Sequence, residues 1–147
     1  MADSSRDPQA LAEACAAAMY AEDDASQDLG ITIANVAPGT AEARMTVTEN
    51  MVNGHDICHG GFIFTLADTA FAFACNTYGR VTVAAGASIE FLKPVRRGEA
   101  LTASAVEAYR GQRTGFYDVR VTSAGDRLVA LFRGRSATLD EDIPLPD

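Results

Sequence analysis

The sequence of 147 residues has no stretch of about 18 apolar residues free of charge, so no membrane-spanning helix is predicted. The nearest approach, Phe62 to Cys75, is too short and carries Asp68 in its middle. The opening residues, Met1-Ala2-Asp3-Ser4-Ser5-Arg6-Asp7, lack the basic-then-apolar order of a secretion signal, and a cytoplasmic location is expected. Cysteine is scarce: Cys15, Cys58 and Cys75 are odd in number, form no Cys-x-x-Cys pair, and are joined only by His55 and His59. A structural zinc site takes about four well-spaced ligands, so no metal site is expected. Cys58 beside His59 suggests a thiol nucleophile, but a free cysteine is more often a small buried hydrophobe. There is no Gly-x-Ser-x-Gly elbow, no Walker loop and no Gly-x-Gly-x-x-Gly turn after a strand. These absences remove the serine hydrolases of the α/β class and the usual phosphate cradles.

Basic residues are also few. The net charge is −8 and the pI near 4.6, which argues against nucleic acid as a partner. The shortage is uneven. Through Gly79 the only cations are Arg6 and Arg44, whereas Arg80 to Arg135 holds ten basic residues against five acids. That half can present a patch to a small anionic ligand, although any single arginine there is first of all a strand-face residue.

What is abundant is apolar: 48% of the residues, sufficient for a core, in a length that suits one domain over 1–147. An N-terminal helical segment is expected over 1–28, with Pro8 to about Ala25 as its helix. Leu29 to Val36 and Thr40 to Thr48 read as a hairpin around Pro38-Gly39, with Ala41, Ala43, Met45 and Val47 on one face. Glu49 to Gly61 is a loop, and Phe62 to about Asn76 is a helix apolar on nearly every side, which must be buried. Four strands follow: Val81 to Leu92, Ala100 to Tyr109, Thr114 to Thr122 and Arg127 to Thr138. Their short separators imply an antiparallel meander, with a loose tail over 140–147. The fold class is α+β, a long antiparallel sheet of five to six strands around a central buried helix. One helix cannot cover both faces of such a sheet, and its edges need partners, so oligomerisation is expected.

Asp68 is the first catalytic candidate. It lies mid-helix among apolar residues, with no Lys, Arg or His three or four positions away, where an unpaired carboxylate is costly. Thr65, Asp68, Thr69, Ala72 and Asn76 share a small or polar stripe that could line a wet cleft or an interface. The alternative is a surface carboxylate facing solvent. Gly60-Gly61 opens the helix, where N–H groups lack intrahelical partners and glycine admits a carbonyl oxygen. His59 and Asn53 add side-chain donors; the plain alternative is a turn with His59 at the helix entry. Gly60 and Asp68 lie about 12 Å apart along one helix, at 1.5 Å per residue. To act on one carbonyl they must come from different subunits, which predicts two sites across a dimer axis.

Asn53-Gly54-His55-Asp56-Ile57-Cys58-His59-Gly60-Gly61, followed by Phe64-Thr65-Leu66-Ala67-Asp68-Thr69, resembles the PaaI-type thioesterases of phenylacetate degradation. Similarity runs on through Ser88-Ile89-Glu90-Phe91-Leu92-Lys93-Pro94 and Thr114-Gly115-Phe116-Tyr117-Asp118 to Val129-Ala130-Leu131-Phe132-Arg133-Gly134, about Leu29 to Leu139 in all. The resemblance implies a hot-dog fold, dimers pairing into a homotetramer, and hydrolysis of aryl-acyl-CoA such as phenylacetyl-CoA or hydroxyphenylacetyl-CoA. By the same resemblance Asp68 is nucleophile or general base, Gly60 polarises the thioester carbonyl, and Asn53 and His59 position substrate or water. Gly61 and Thr69 are further substrate-binding candidates, with Lys93, Arg96, Arg97, Arg110 and Arg113 competing for the CoA phosphates. No cofactor is expected beyond the CoA of the substrate. The acyl pocket has Phe62, Phe64, Phe71 and Tyr78 as candidate walls, although core packing is their ordinary role. Two rival readings are a hot-dog enoyl-CoA hydratase or dehydratase and a non-catalytic acyl-CoA-binding module. The histidine-before-helix, carboxylate-within-helix order favours the thioesterase over the first, and a mid-helix carboxylate is superfluous in the second.

Overall fold

A computed structural model of the chain describes residues 6–147. Helix α1 (Pro8–Ala21) starts where Asp7 accepts the Ala10 N–H at 2.7 Å and Pro8 occupies the first turn. It stops earlier than its Ala-rich composition suggests. Asp23 accepts the Ser26 N–H at 3.0 Å and its hydroxyl at 2.6 Å, capping a separate short helix α2 (Asp24–Asp28). A local cap thus overrides helix propensity.

Strands β1 (Thr32–Ala37) and β2 (Thr40–Thr46) form the hairpin, turned at Gly39 with φ of 78°. The alternation read in β2 holds, with Ala41, Ala43, Met45 and Val47 all buried. A 3-10 turn (Glu49–Met51) and a polar loop lead into α3 (Gly60–Cys75). Then come β3 (Arg80–Phe91), β4 (Ala100–Arg110), β5 (Thr114–Ser123) and β6 (Arg127–Asp142).

All six strands form one antiparallel sheet in the order β1-β2-β4-β5-β6-β3. Only β4, β5 and β6 make the expected meander. β3 does not pair with β4; it pairs with β6 at the far edge. The reason lies in the connection after β3. Leu92 N–H donates to Val129 O at 2.8 Å, Cys58 N–H to Val95 O at 2.7 Å, and Gly98 N–H to Val47 O at 2.8 Å. The segment is therefore pinned across the start of α3 and delivers the chain beside β2. The C-terminal stretch also departs from expectation: β6 runs to Asp142, and Ile143 N–H donates to Gly79 O at 2.9 Å.

The sheet curls around α3, whose Leu66, Ala67, Ala70, Phe71, Phe73 and Ala74 are buried against it. Phe71 packs beside Tyr117 and Phe132, at ring separations of 5.7 and 5.9 Å. It seats directly on β6 because position 134 is glycine; a Cβ there would lie 2.7 Å from the Phe71 ring. Burying one such ring contributes about 1.5–3 kcal/mol. This packing holds α3 at a fixed height in the sheet, with one narrow face uncovered.

Candidate active site

The uncovered face of α3 carries Gly61, Thr65, Asp68 and Ala72, at helical spacings of three and four. Thr69 and Asn76, expected on the same stripe, turn inward. Thr69 is buried with its hydroxyl on Thr65 O at 2.7 Å, so it does not face the open side. Asn76 is spent on the backbone, donating to Ala72 O and Thr82 O and accepting from Thr82 N–H. The true stripe is narrower than the sequence spacing implied, and Asp68 is its one ionisable group.

Asp68 is half-buried, and among the described residues neither of its oxygens has a hydrogen-bond or ion-pair partner. Burial alone pushes its carboxyl above the ordinary carboxylate range. A group in that condition is a proton acceptor held near an apolar wall and unquenched by a cation.

At the start of the same helix, the Gly60 and Gly61 N–H groups find no acceptor among the described residues, and no side chain of these caps the turn. They sit at the positive end of a 16-residue helix. The Phe91 ring lies on Gly60; a Cβ there would be 2.8 Å from Phe91 Cζ, so this position has no room for a side chain. Gly61 faces open space. Beside them is a groove of about 420 Å³ that includes Ile57, Gly60, Ile63, Phe91 and Lys93.

Asn53 shapes the approach to this helix. Its Oδ1 accepts the His55 N–H at 2.9 Å and the Ile57 N–H at 3.2 Å, which fixes the loop and leaves its Nδ2 free to donate outward. His59 is exposed immediately before the helix. Cys58 is buried, and its thiol is pushed up to about 11 by that burial, so the sulfur is a packed hydrophobe and no nucleophile at neutral pH. Among the described residues no cluster of His, Cys, Asp and Glu could hold a metal ion, and no helix is long and apolar enough to cross a membrane.

The basic candidates fall into two groups. Lys93, Arg96 and Arg97 stand on the connection beside Gly60, with Arg97 reaching Asp56 at 3.8 Å. Arg110 and Arg113 lie at the opposite end of α3, on the rim of a polar cavity of about 310 Å³ floored by Cys75. Sequence reasoning missed a third arginine there, Arg80. Its position directly after Gly79, where the helix hands over to β3, is the signal that could have found it. Of the aromatic candidates, Phe71 is core, Phe64 packs edge-on to Phe132 at 5.3 Å, and Tyr78 lines the polar cavity.

Residues 55–130 match the family model described as thioesterase superfamily. The acyl-coenzyme A thioesterase PaaI of Escherichia coli (strain K12) is 48% identical over 119 residues, 81% of this chain and 85% of that one. The human acyl-coenzyme A thioesterase 13 is 30% identical over 103 residues, 68% of this chain and 74% of that one. The solved structure of the E. coli PaaI protein from the phenylacetic acid degradation operon superposes with a TM-score of 0.92 at 43% identity, covering 94% of this chain and all of that one.

Proposed function

Because the chain belongs to the thioesterase superfamily, with its hot-dog fold, and is an acyl-CoA thioester hydrolase, we propose that its substrates are aryl-acyl-CoA thioesters. Phenylacetyl and hydroxyphenylacetyl are the favoured acyl groups, and aromatic acid breakdown is the favoured setting, the E. coli relative belonging to a phenylacetic acid degradation operon. The observation that carries the mechanism is the lone carboxylate of Asp68, half-buried and unpartnered on the open face of α3.

Asp68 acts on the thioester carbon, either attacking it directly or taking a proton from the attacking water. Negative charge then develops on the thioester oxygen. The orphan Gly60 N–H, with the α3 dipole behind it, stabilises that charge without reorganising. Its collapse breaks the C–S bond and expels CoA thiolate; on the direct route water then hydrolyses the acyl–Asp68 anhydride. Asn53 Nδ2 and His59 position the substrate or water, and Gly61 leaves space for the acyl carbonyl to approach. Nothing in this chemistry requires a metal or redox cofactor.

Since about 12 Å of helix separates Gly60 from Asp68, one carbonyl cannot meet both within a chain. The working unit is a homodimer with each site built from Gly60 of one protomer and Asp68 of the other, and dimers pair further into a tetramer. Support comes from β3, a strand of 12 residues with an unpaired outer edge that runs beside α3. Phe91 at its end rests on Gly60, and Thr82 near its start bonds Asn76, so this open-edged strand runs the length of α3.

The phosphates of CoA are assigned to Arg110 and Arg113 rather than to Lys93 and Arg96. The floor of their cavity, Cys75, is seven residues beyond Asp68, about 10 Å along the axis, a separation that a pantetheine arm spans. The test is CoA release, followed with a thiol reagent, from phenylacetyl-, hydroxyphenylacetyl-, benzoyl- and medium-chain acyl-CoA. Aryl preference is expected in the parent, with Asp68→Ala and Asp68→Asn each reduced by about 10²–10⁴-fold. Activity surviving in both variants removes Asp68 from the mechanism.

A further inference from the structure

The cavity beyond the C-terminal end of α3 has three guanidinium groups on its walls, and they are not equivalent. Arg80 is committed to Asp140 at 3.5 Å and Asp142 at 3.6 Å, and Arg113 to Asp140 at 3.3 Å. Arg110 has no carboxylate partner among the described residues. It lies flat on the Tyr78 ring, 3.5 Å from the centroid. Glu107, whose carboxylate reaches the same Tyr78 side chain across the register shift before Tyr109, would be its natural partner. Its Oε1 instead accepts the Tyr78 and Tyr117 hydroxyls, each at 2.9 Å.

This arrangement fixes the ring and leaves the cation unspent. Tyr78 is tied at its hydroxyl by Glu107 and boxed in by the β1–β2 turn, where a Cβ on Gly39 would come within 2.9 Å of the Tyr78 oxygen. The Gly39 N–H is itself tied to Thr77 Oγ1 at 2.8 Å, which secures the turn against the residue before Tyr78. Tyr117, the second phenol on Glu107, is buried. Stacking through its face leaves the whole N–H edge of a guanidinium available, and that edge matches phosphate oxygens.

We propose that Tyr78 is a positioning residue for the phosphate end of the substrate, holding Arg110 stacked and uncommitted at the mouth of the cavity. The proposal rests on the reading of the protein as an acyl-CoA thioesterase and deepens it. Glu107 works one step further back, diverted from Arg110 by two phenols so that the arginine keeps its charge for the ligand.

The experiment compares phenylacetyl-CoA with phenylacetyl-pantetheine, which carries the same thioester and arm without the nucleotide. The quantity read is the ratio of kcat/KM for the two, with KM and kcat reported separately. Arg110→Ala should lower the ratio about tenfold, by the loss of a charge-assisted phosphate contact, mainly through the KM for the CoA ester. Tyr78→Leu should lower it about three- to tenfold, and the double variant no further than Arg110→Ala alone. Tyr78→Phe keeps the ring but loses the Glu107 bond. It should lower the ratio about twofold, and it serves as the test if Tyr78→Leu does not fold. An unchanged ratio in the Tyr78 variants while Arg110→Ala lowers it would overturn the proposal and leave the thioesterase reading standing. An unchanged ratio in Arg110→Ala would overturn it too, by moving the phosphates elsewhere. Failure of the parent protein to cleave either thioester would instead bring down the functional reading on which the proposal rests.

Discussion

The two edges of the sheet are treated in opposite ways. At one edge, β1 has six residues, a break in register between Ala34 and Ala37, and α1 laid against it. Gln9 Nε2 donates to Val36 O at 2.7 Å and Tyr20 Oη to Ile31 O at 2.7 Å, so carbonyls along this side are capped from within the chain. At the other edge, β3 has 12 residues and, among the described residues, no covering element, and Val83 is 43% exposed on it. A long open edge is a liability unless something pairs with it. The difference teaches that one edge is covered within a single chain, whereas the other is left open among the described residues. α3, packed alongside that open strand, carries Asp68 and the Gly60 and Gly61 N–H groups, none of which has a partner among the described residues.

The largest effect expected from breaking this contrast follows from charging the open edge. In the proposed dimer, Val83→Asp places a charge from each protomer along the shared edge, at a cost of several kcal/mol. The side chain is exposed within one chain, so the fold itself tolerates the change. Sedimentation should show monomers, and CoA release should fall at least 100-fold, since a carbonyl then meets Gly60 or Asp68 but not both. Thr32→Asp, the matching change on β1, should leave both readouts near the parent. Equal behaviour of the two variants would erase the distinction between the edges.

Smaller, and of opposite sign, is the effect of neutralising Asp68. Burial raises its folded-state pKa above the unfolded value, so the folded protein binds more protons between those two values. Its stability contribution is therefore unfavourable at pH above the folded pKa and vanishes below the unfolded one, about pH 4. Asp68→Asn should raise the melting temperature at pH 7, with the gain fading as pH falls through the carboxylate range. In the parent, kcat/KM should rise with pH through a midpoint above the usual carboxylate value, because the working form is ionised. A variant less stable than the parent at pH 7 would mean that the carboxylate has a partner after all.

How much of this was legible beforehand differs by element, for physical reasons. The β2 pattern, the buried α3 and the Gly60–Asp68 spacing could be read because each depends on local periodicity. The position of β3 could not, since the Leu92–Glu99 connection looks like a turn in sequence and only hydrogen bonds to Val47 and Val129 reveal that it crosses the sheet. Spacing alone puts Thr69 on the open face. A helix position between faces is decided by packing, and Thr69 satisfies its hydroxyl on its own backbone. Tyr78 was visible as an aromatic, but the carboxylate that holds it comes from a strand 29 residues away. Residues that carry a function through partners distant in sequence leave no spacing rule to find them.

The smallest expected effect sharpens the comparison from the closed side. Gln9→Ala removes one exposed donor to β1 and should cost about 0.5–1 kcal/mol; Tyr20→Phe removes a partly buried one and should cost about 1 kcal/mol. Both values follow from urea midpoints at unchanged slope. Amide exchange supplies the more telling measurement. If α1 is what closes this edge, protection in β1 and the facing residues of β2 should fall in both variants while β3 keeps its own. Protection falling equally at the two edges would mean that the substitutions loosen the whole sheet. Protection unchanged in β1 would mean that its short, irregular strand is already unable to template another chain, and that α1 covers an edge that needed no cover.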